Sequence, residues 1–433
     1  MPAKELDLVL FGATGFTGRQ TLMHLARHVP PGFKWAIAGR NRAKLEALLP
    51  LCADAAVTPE VRRADSTDLK SVDKLVAATR VIIQLAGPYG LAGESFVAAA
   101  AANGTHYVDL TGEIGWVAQM ISRHSEAAKA SKAKLIPVCG FEALPFDLSA
   151  LLIATRLKAA TGARAQSVEL INSFTGPLAF RPRDVLSGGT MASIIAMLED
   201  GAGASLNDPA ALVEDPHLAD RIRQFGRYDF RARYSADVDA WLAPTVPAPF
   251  VNPTVVYRTM SALAGSKNSP FASDCRYSEA LSTRGMAPFA IGQRVVAETL
   301  ARGFTAMAKS VDRNGTVDQL GRTAIKQLME WFGPKPGQGP SEKFLQQSGY
   351  TIHMKAVADS GVAAIGQAVA RGHAGYRSTA MLIAEAGLLL AGRGADGCAA
   401  LPRRYGFLTP ASAFGAGSVP AWARAGLVFA FRP

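Results

Sequence analysis

At 433 residues the chain exceeds one ordinary domain and predicts two or three. Hydrophobic residues make up 49% and charged residues 19%, which excludes extensive disorder, and the net charge of +11 is spread along the chain, so it favours acidic partners without specifying one. The start, MPAKELD, lacks the basic and apolar parts of a signal peptide, the apolar window 380–392 is short for a membrane span and carries Glu385, and Cys52, Cys139, Cys275 and Cys398 are scattered singles without metal-ligand spacing. A cytoplasmic protein with reduced thiols and no metal is expected, free or peripheral at a lipid surface.

Leu6 to Phe11 (LDLVLF) reads as a buried parallel strand, and Phe16, Leu22, Leu25, Ala26 and Val29 as the apolar stripe of the next helix. Between them lie Gly12, Ala13, Thr14, Gly15, Phe16, Thr17 and Gly18, spaced G-x-x-G-x-x-G. In a strand-turn-helix context such glycines permit a tight turn, let the backbone approach a pyrophosphate and keep the helix against the sheet, so its first amides face the phosphates. The bland alternative is a plain βα turn.

Lys34 to Ala38 predicts the second strand, where an NAD-binding unit would end in a carboxylate for the ribose 2′-hydroxyl. This chain has Gly39-Arg40-Asn41-Arg42 and then Lys44. A guanidinium clamps a 2′-phosphate that a carboxylate would repel, so NADP(H) is expected over NAD(H), with Arg40, Asn41 and Lys44 as contacts; the alternative is a set of solvated helix-start residues. After the strand Val61–Ala64, Asp65 either accepts a bond from adenine or caps the next helix. The strand Arg80 to Ala86 stops at Gly87-Pro88-Tyr89-Gly90, which places Ala86, Gly87 and Pro88 along the cofactor crevice. A helix near Glu94 to Ala102 ends at Asn103-Gly104, and strands at Thr105–Leu110 and Lys134–Val138 bracket a helix at about Val117–Lys132. Beyond Gly140, strands such as Ser167–Phe174 mix with longer helices and Pro/Gly loops, and the run from Gly333 to Pro340 reads as a lid.

Several long segments then resemble a known family: GATGFTG at 12–18, AGRN at 38–41, AGPYG at 86–90, GTHYVDLTGE at 104–113, CGFEALPFDL at 139–148, SGGT at 187–190, PGQGPSEK at 336–343 and LTPASAFG at 408–415. The chain is similar to the saccharopine dehydrogenase-like oxidoreductases, and within them to the trans-acting enoyl reductases. GFEALPFDL stands where GFDSIPxDL is usual, and Gln338 where Glu is frequent. The resemblance implies an α/β fold in three parts. These are a doubly wound, Rossmann-type NADP-binding domain at 1–145, an α+β substrate and dimerisation domain at 146–375, and a segment at 376–433 returning to the first domain. It also implies a homodimer acting on an acyl or polyketide-type lipid, with reduction of an amino-acid-derived imine and a non-catalytic NADPH-binding scaffold as alternatives.

Enoyl reduction needs a carbonyl-polarising donor and an acid besides the nicotinamide. The Tyr-x-x-x-Lys pair of short-chain dehydrogenases occurs at none of the nine tyrosines. Tyr89 is the proton donor expected by position, against the reading of a tyrosine that packs the turn. Tyr107 and Asp109 share one strand face, with Asp109 and Glu113 as helix caps. Cys139, Glu142 and Asp147 follow the last strand of the first domain, Cys139 as a substrate contact or a buried thiol. Ser187 and Thr190 either donate to a substrate carbonyl or cap a helix. Arg221, Arg223, Arg227, Arg231 and Arg233, interleaved with aromatics, form a solvated face or a dock for an acidic carrier protein or anionic lipid; no nucleic-acid fold accompanies them.

Overall fold

The computed structural model describes residues 4–177, 187–188, 208–226, 228, 230–245, 250–287, 289–311, 334–335 and 338–432. The first half builds a parallel sheet from β1 (Leu6–Phe11), β2 (Trp35–Gly39), β3 (Glu60–Arg63), β4 (Thr79–Gln84), β5 (His106–Asp109) and β6 (Lys134–Ile136), joined by helices α1 (Phe16–His28), α2 (Arg42–Glu46), α3 (Leu69–Ala77), α4 (Tyr89–Ala92), α5 (Glu94–Asn103) and α6 (Ile114–Ala130). The strand order is β13-β6-β5-β4-β1-β2-β3, where β13 is Gly406–Phe407 from near the C-terminus. Central strands buried on both faces need a continuous apolar run, and β1 supplies it from Leu8 to Phe11: Val9 pairs with Ala36 on one side and Ile82 on the other. The connections reverse direction between β1 and β4, and a ligand crevice opens at the carboxyl ends of strands at such a switch point.

Helix α7 (Leu144–Thr161) leaves the end of β6 and is buried along most of its length. It packs on a second sheet of order β14-β12-β11-β7-β10-β9-β8, comprising β7 (Ala165–Thr175), β8 (Arg233–Ser235), β9 (Ala240–Ala243), β10 (Phe271–Ser282), β11 (Gly349–Ala358), β12 (Ala363–Arg371) and β14 (Leu427–Phe431). One hydrophobic core runs from Leu8 and Ile83 of the first sheet through Leu148 and Ile153 of α7 to Leu170 and Ile352 of the second.

The last segment serves both sheets. The helix Thr379–Leu390 packs against α1 and β4, and β13 extends the first sheet, but β14 pairs antiparallel with β12 of the second. Within 376–433, β13 thus joins the first sheet and β14 the second. Among the described residues no helix is long and apolar enough to cross a membrane.

Candidate functional site

The turn after β1 is shaped by its glycines. Gly12 has φ +89°, and a Cβ there would lie 2.9 Å from the Leu85 carbonyl carbon in the turn after β4. A Cβ on Gly18 would overlap the Gly12 carbonyl oxygen, so α1 can start this close to β1 only with glycine at that position. Gly15 is the N-cap of α1 and its amide donates to Gly12 O at 3.0 Å; no side chain caps the helix. The first amides of α1 are thus left for an anion, as a pyrophosphate requires. Ala13 is fully buried beneath the turn, Thr14 is exposed on it, and Thr17 accepts the Thr21 hydroxyl through its carbonyl. Phe16 departs from the expected core stripe. Its ring meets Tyr376 edge-on at 5.2 Å and lies where a Cβ on Gly339 would collide with it. Gly188 N donates to Gln338 O and Ser187 N to the Tyr376 hydroxyl, so these residues gather beside Phe16 at the edge of the phosphate turn. Tyr376 carried no signal in the sequence; of the Gly333–Pro340 run read as a lid, residues 333, 336 and 337 lie outside the described residues.

At the far end of the crevice Arg40 is exposed, whereas Arg42 is held by Glu46 at 2.7 Å. Asn41 caps α2 by accepting from Lys44 N at 3.0 Å, which fixes both residues as helix-start structure while leaving the Lys44 ammonium outside that bond. Asp68 rather than Asp65 caps α3. The Asp65 carboxylate accepts the Thr67 amide and hydroxyl, bonds that hold it below the usual carboxylate range with help from the Arg40 and Arg63 charges. Arg63, at the end of β3, thereby joins Arg40 as a second cation beside the expected 2′-phosphate position.

Over β4 to β6 the loops are locked by their own polar groups. The Gln84 side chain bonds both the amide and the carbonyl of Ala86 at 3.0 Å, fixing the turn that leads to the half-buried Pro88 and exposed Gly87. Tyr89 is buried, its hydroxyl donating to Gln84 O at 3.3 Å and accepting from Leu110 N at 3.2 Å, and burial drives its ionisation well above the ordinary range. The proton-donor role expected of Tyr89 gives way to that of a brace between two crevice turns. The GTHYVDLTGE segment is likewise absorbed. Tyr107 donates to Asp109, which also accepts from Thr111 N and Val138 N. The Glu113 carboxylate accepts Tyr89 N at 2.9 Å and Gly90 N at 2.7 Å; it caps α4, not the helix that follows it in sequence.

Cys139 is fully buried and burial holds its thiol well above the usual range, leaving an inert side chain beneath the crevice rather than a substrate contact. Ser187 is buried at the Tyr376 contact, and Thr190 lies outside the described residues. Asp147 accepts Ala411 N, tying α7 to the last segment. Glu142 reaches back so that its Oε2 lies 3.4 Å from where a Gly112 Cβ would sit. In the basic stretch Arg221, Arg223 and Arg231 are exposed, with Arg223 paired to Asp208 and Asp220 and the half-buried Arg233 to Glu169, while Phe225 and Tyr228 meet Tyr257 and Phe250 edge-on and Phe230 stacks on Phe304; Arg227 lies outside the described residues.

Residues 8–136 match the saccharopine dehydrogenase NADP binding domain family. Over 427 residues the chain is 31% identical to a trans-acting enoyl reductase of Mycobacterium tuberculosis, covering 95% of this chain and 94% of that protein. It is 29% identical to one of Mycobacterium leprae over 434 residues, covering 98% and 97%. Among solved structures, the apo saccharopine dehydrogenase (L-Glu forming) of Saccharomyces cerevisiae superposes with a TM-score of 0.50 at 13% identity, covering 98% of this chain and 99% of that one.

Proposed function

The chain belongs to the saccharopine dehydrogenase-like family, with the trans-acting enoyl reductases, and is an NADP(H)-binding oxidoreductase; from that premise we propose that it reduces a conjugated carbon–carbon double bond in an acyl or polyketide-type chain. The supporting observation is the crevice itself: an uncapped α1 behind the Gly12 and Gly18 turn, with Arg40 and Arg63 at one end and braced loops at the other. When bound, the cofactor supplies a hydride. The amides of α1 hold its pyrophosphate, Arg40 its 2′-phosphate, and the Gln84, Tyr89 and Glu113 braces keep the β4 and β5 turns rigid against it. The substrate arrives free, on an acidic carrier protein or from an anionic lipid surface. A homodimer completes the reading, supported by Ile365, Val369 and Val428, which stand exposed along the outer strands of the second sheet.

NADPH oxidation with enoyl thioesters of increasing length, matched against imines and ketones, tests this function. We expect the enoyl compounds to be turned over preferentially and the rate to rise with chain length. Preferential turnover of imines contradicts it.

A further inference from the structure

Polar groups at the carboxyl ends of β4, β5 and β6 are nearly all spent on the loops themselves. The Tyr89 hydroxyl, the Asp109 and Glu113 carboxylates and the Thr111 hydroxyl each hold a backbone amide, and Cys139 is sealed below. Glu142 differs. It stands six residues beyond the end of β6, partly exposed, with its carboxylate turned toward Gly112 after β5, and among the described residues nothing bonds to it. This side of the switch point is the half of a doubly wound sheet that receives the nicotinamide, while β1, β2 and β3 receive the adenosine.

We propose that Glu142 is the proton donor of the reduction. The role rests on the enoyl reductase reading above. The electron balance is simple: hydride from NADPH adds to the β carbon of the conjugated double bond, the π pair moves toward the α carbon, and that carbon takes the proton from the Glu142 carboxyl, which water later reprotonates. A carboxylic acid can serve only if it is neutral when substrate arrives, and burial pushes this one up to about 7 with no neighbouring charge needed. Its backbone is held firmly for such a task, because the next amide, Ala143 N, donates to Asn252 Oδ1 at 2.7 Å and Phe141 N to the Thr379 hydroxyl at 2.9 Å.

Two measurements on wild type, Glu142→Gln and Glu142→Asp decide it. In the substrate-free chain with ¹³C-labelled glutamate carboxyls, the wild type should show a resonance titrating near 7 that is missing from Glu142→Gln. In turnover, Glu142→Gln should lose on the order of 10²-fold in kcat with NADPH affinity unchanged, and Glu142→Asp should recover part of it, since a positioned acid contributes about that much. A Glu142 carboxyl titrating in the ordinary glutamate range overturns the proposal whatever the substrate. Enoyl turnover that survives Glu142→Gln within about twofold overturns it while leaving the function intact, well short of the usual loss of an acid. A wild type that reduces imines but no enoyl compound overturns the reductase reading, and with it the role of Glu142.

Discussion

We propose that Arg40 carries most of the cofactor preference. Asn41 is spent on a helix cap and Arg42 on Glu46, so neither substitutes for it. A charge-assisted bond contributes on the order of 1.5–3 kcal/mol, which corresponds to roughly 10- to 100-fold in affinity. Arg40→Ala should therefore remove most of the preference for NADPH over NADH in a binding titration without lowering Tm. Arg63 would retain a fraction of it, and a preference undiminished in the variant would transfer the 2′-phosphate to other groups. The sequence shows Arg40 because its position after β2 is fixed by the strand; Arg63 was not legible, since only the fold sets the end of β3 beside that of β2.

Elements with a strong local signature were readable and those made by distant contacts were not. LDLVLF forms β1 with the bounds its apolar run suggests, and α5 stops at Asn103 because Gly104 takes φ +64°. The two-residue β13 has no periodicity to read, and it forms only because β6 offers an edge. Glu113 looks like a cap for the helix it precedes, yet it caps α4 from 24 residues away, a choice that only the sheet's strand spacing makes. The joint between α1 and the last segment was equally hidden. Buried Glu385 accepts His24 Nε2 at 2.7 Å and a bidentate pair from Arg424 at 2.8 and 2.6 Å. His24, His28 and Glu385 also bring potential metal-ligating atoms within 4.8 Å of one another, but the Arg424 guanidinium on the same carboxylate disfavours a cation there. Burial lowers the His24 pKa despite Glu385, so the imidazole is a neutral donor; burial raises Glu385, but its bonds to His24 and Arg424 outweigh this and leave it lowered. Both depressed values give stability that is present above the unfolded pKa values of 6.5 and 4.5 and lost as pH falls through the folded ones. Glu385→Gln should cost about 3 kcal/mol at neutral pH. Its Tm deficit against wild type should shrink as pH drops below about 4.5, and a deficit that grows on acidification would refute the clamp.

At the scale of the whole molecule, the two sheets share one core through α7, which runs from the end of β6 onto the second sheet. The fully buried Asp109 and Asp147 and the half-buried Glu142 and Glu279 are each raised by desolvation to about 7, contributing stability that is complete at low pH and lost as pH rises through 7. This opposes the Glu385 clamp, which is why the clamp is read from a difference between variants. The rings of Phe174 on β7 and Tyr350 on β11 close the core against Phe141 in the turn after β6. A single turnover with NADPH deuterated at C4 of the nicotinamide and an α,β-unsaturated acyl thioester follows the hydride to the carbon that receives it. Deuterium is expected at the β carbon of the saturated product and a solvent-derived proton at the α carbon. Deuterium on a carbonyl carbon, or an acyl chain returned with its double bond intact, would contradict it.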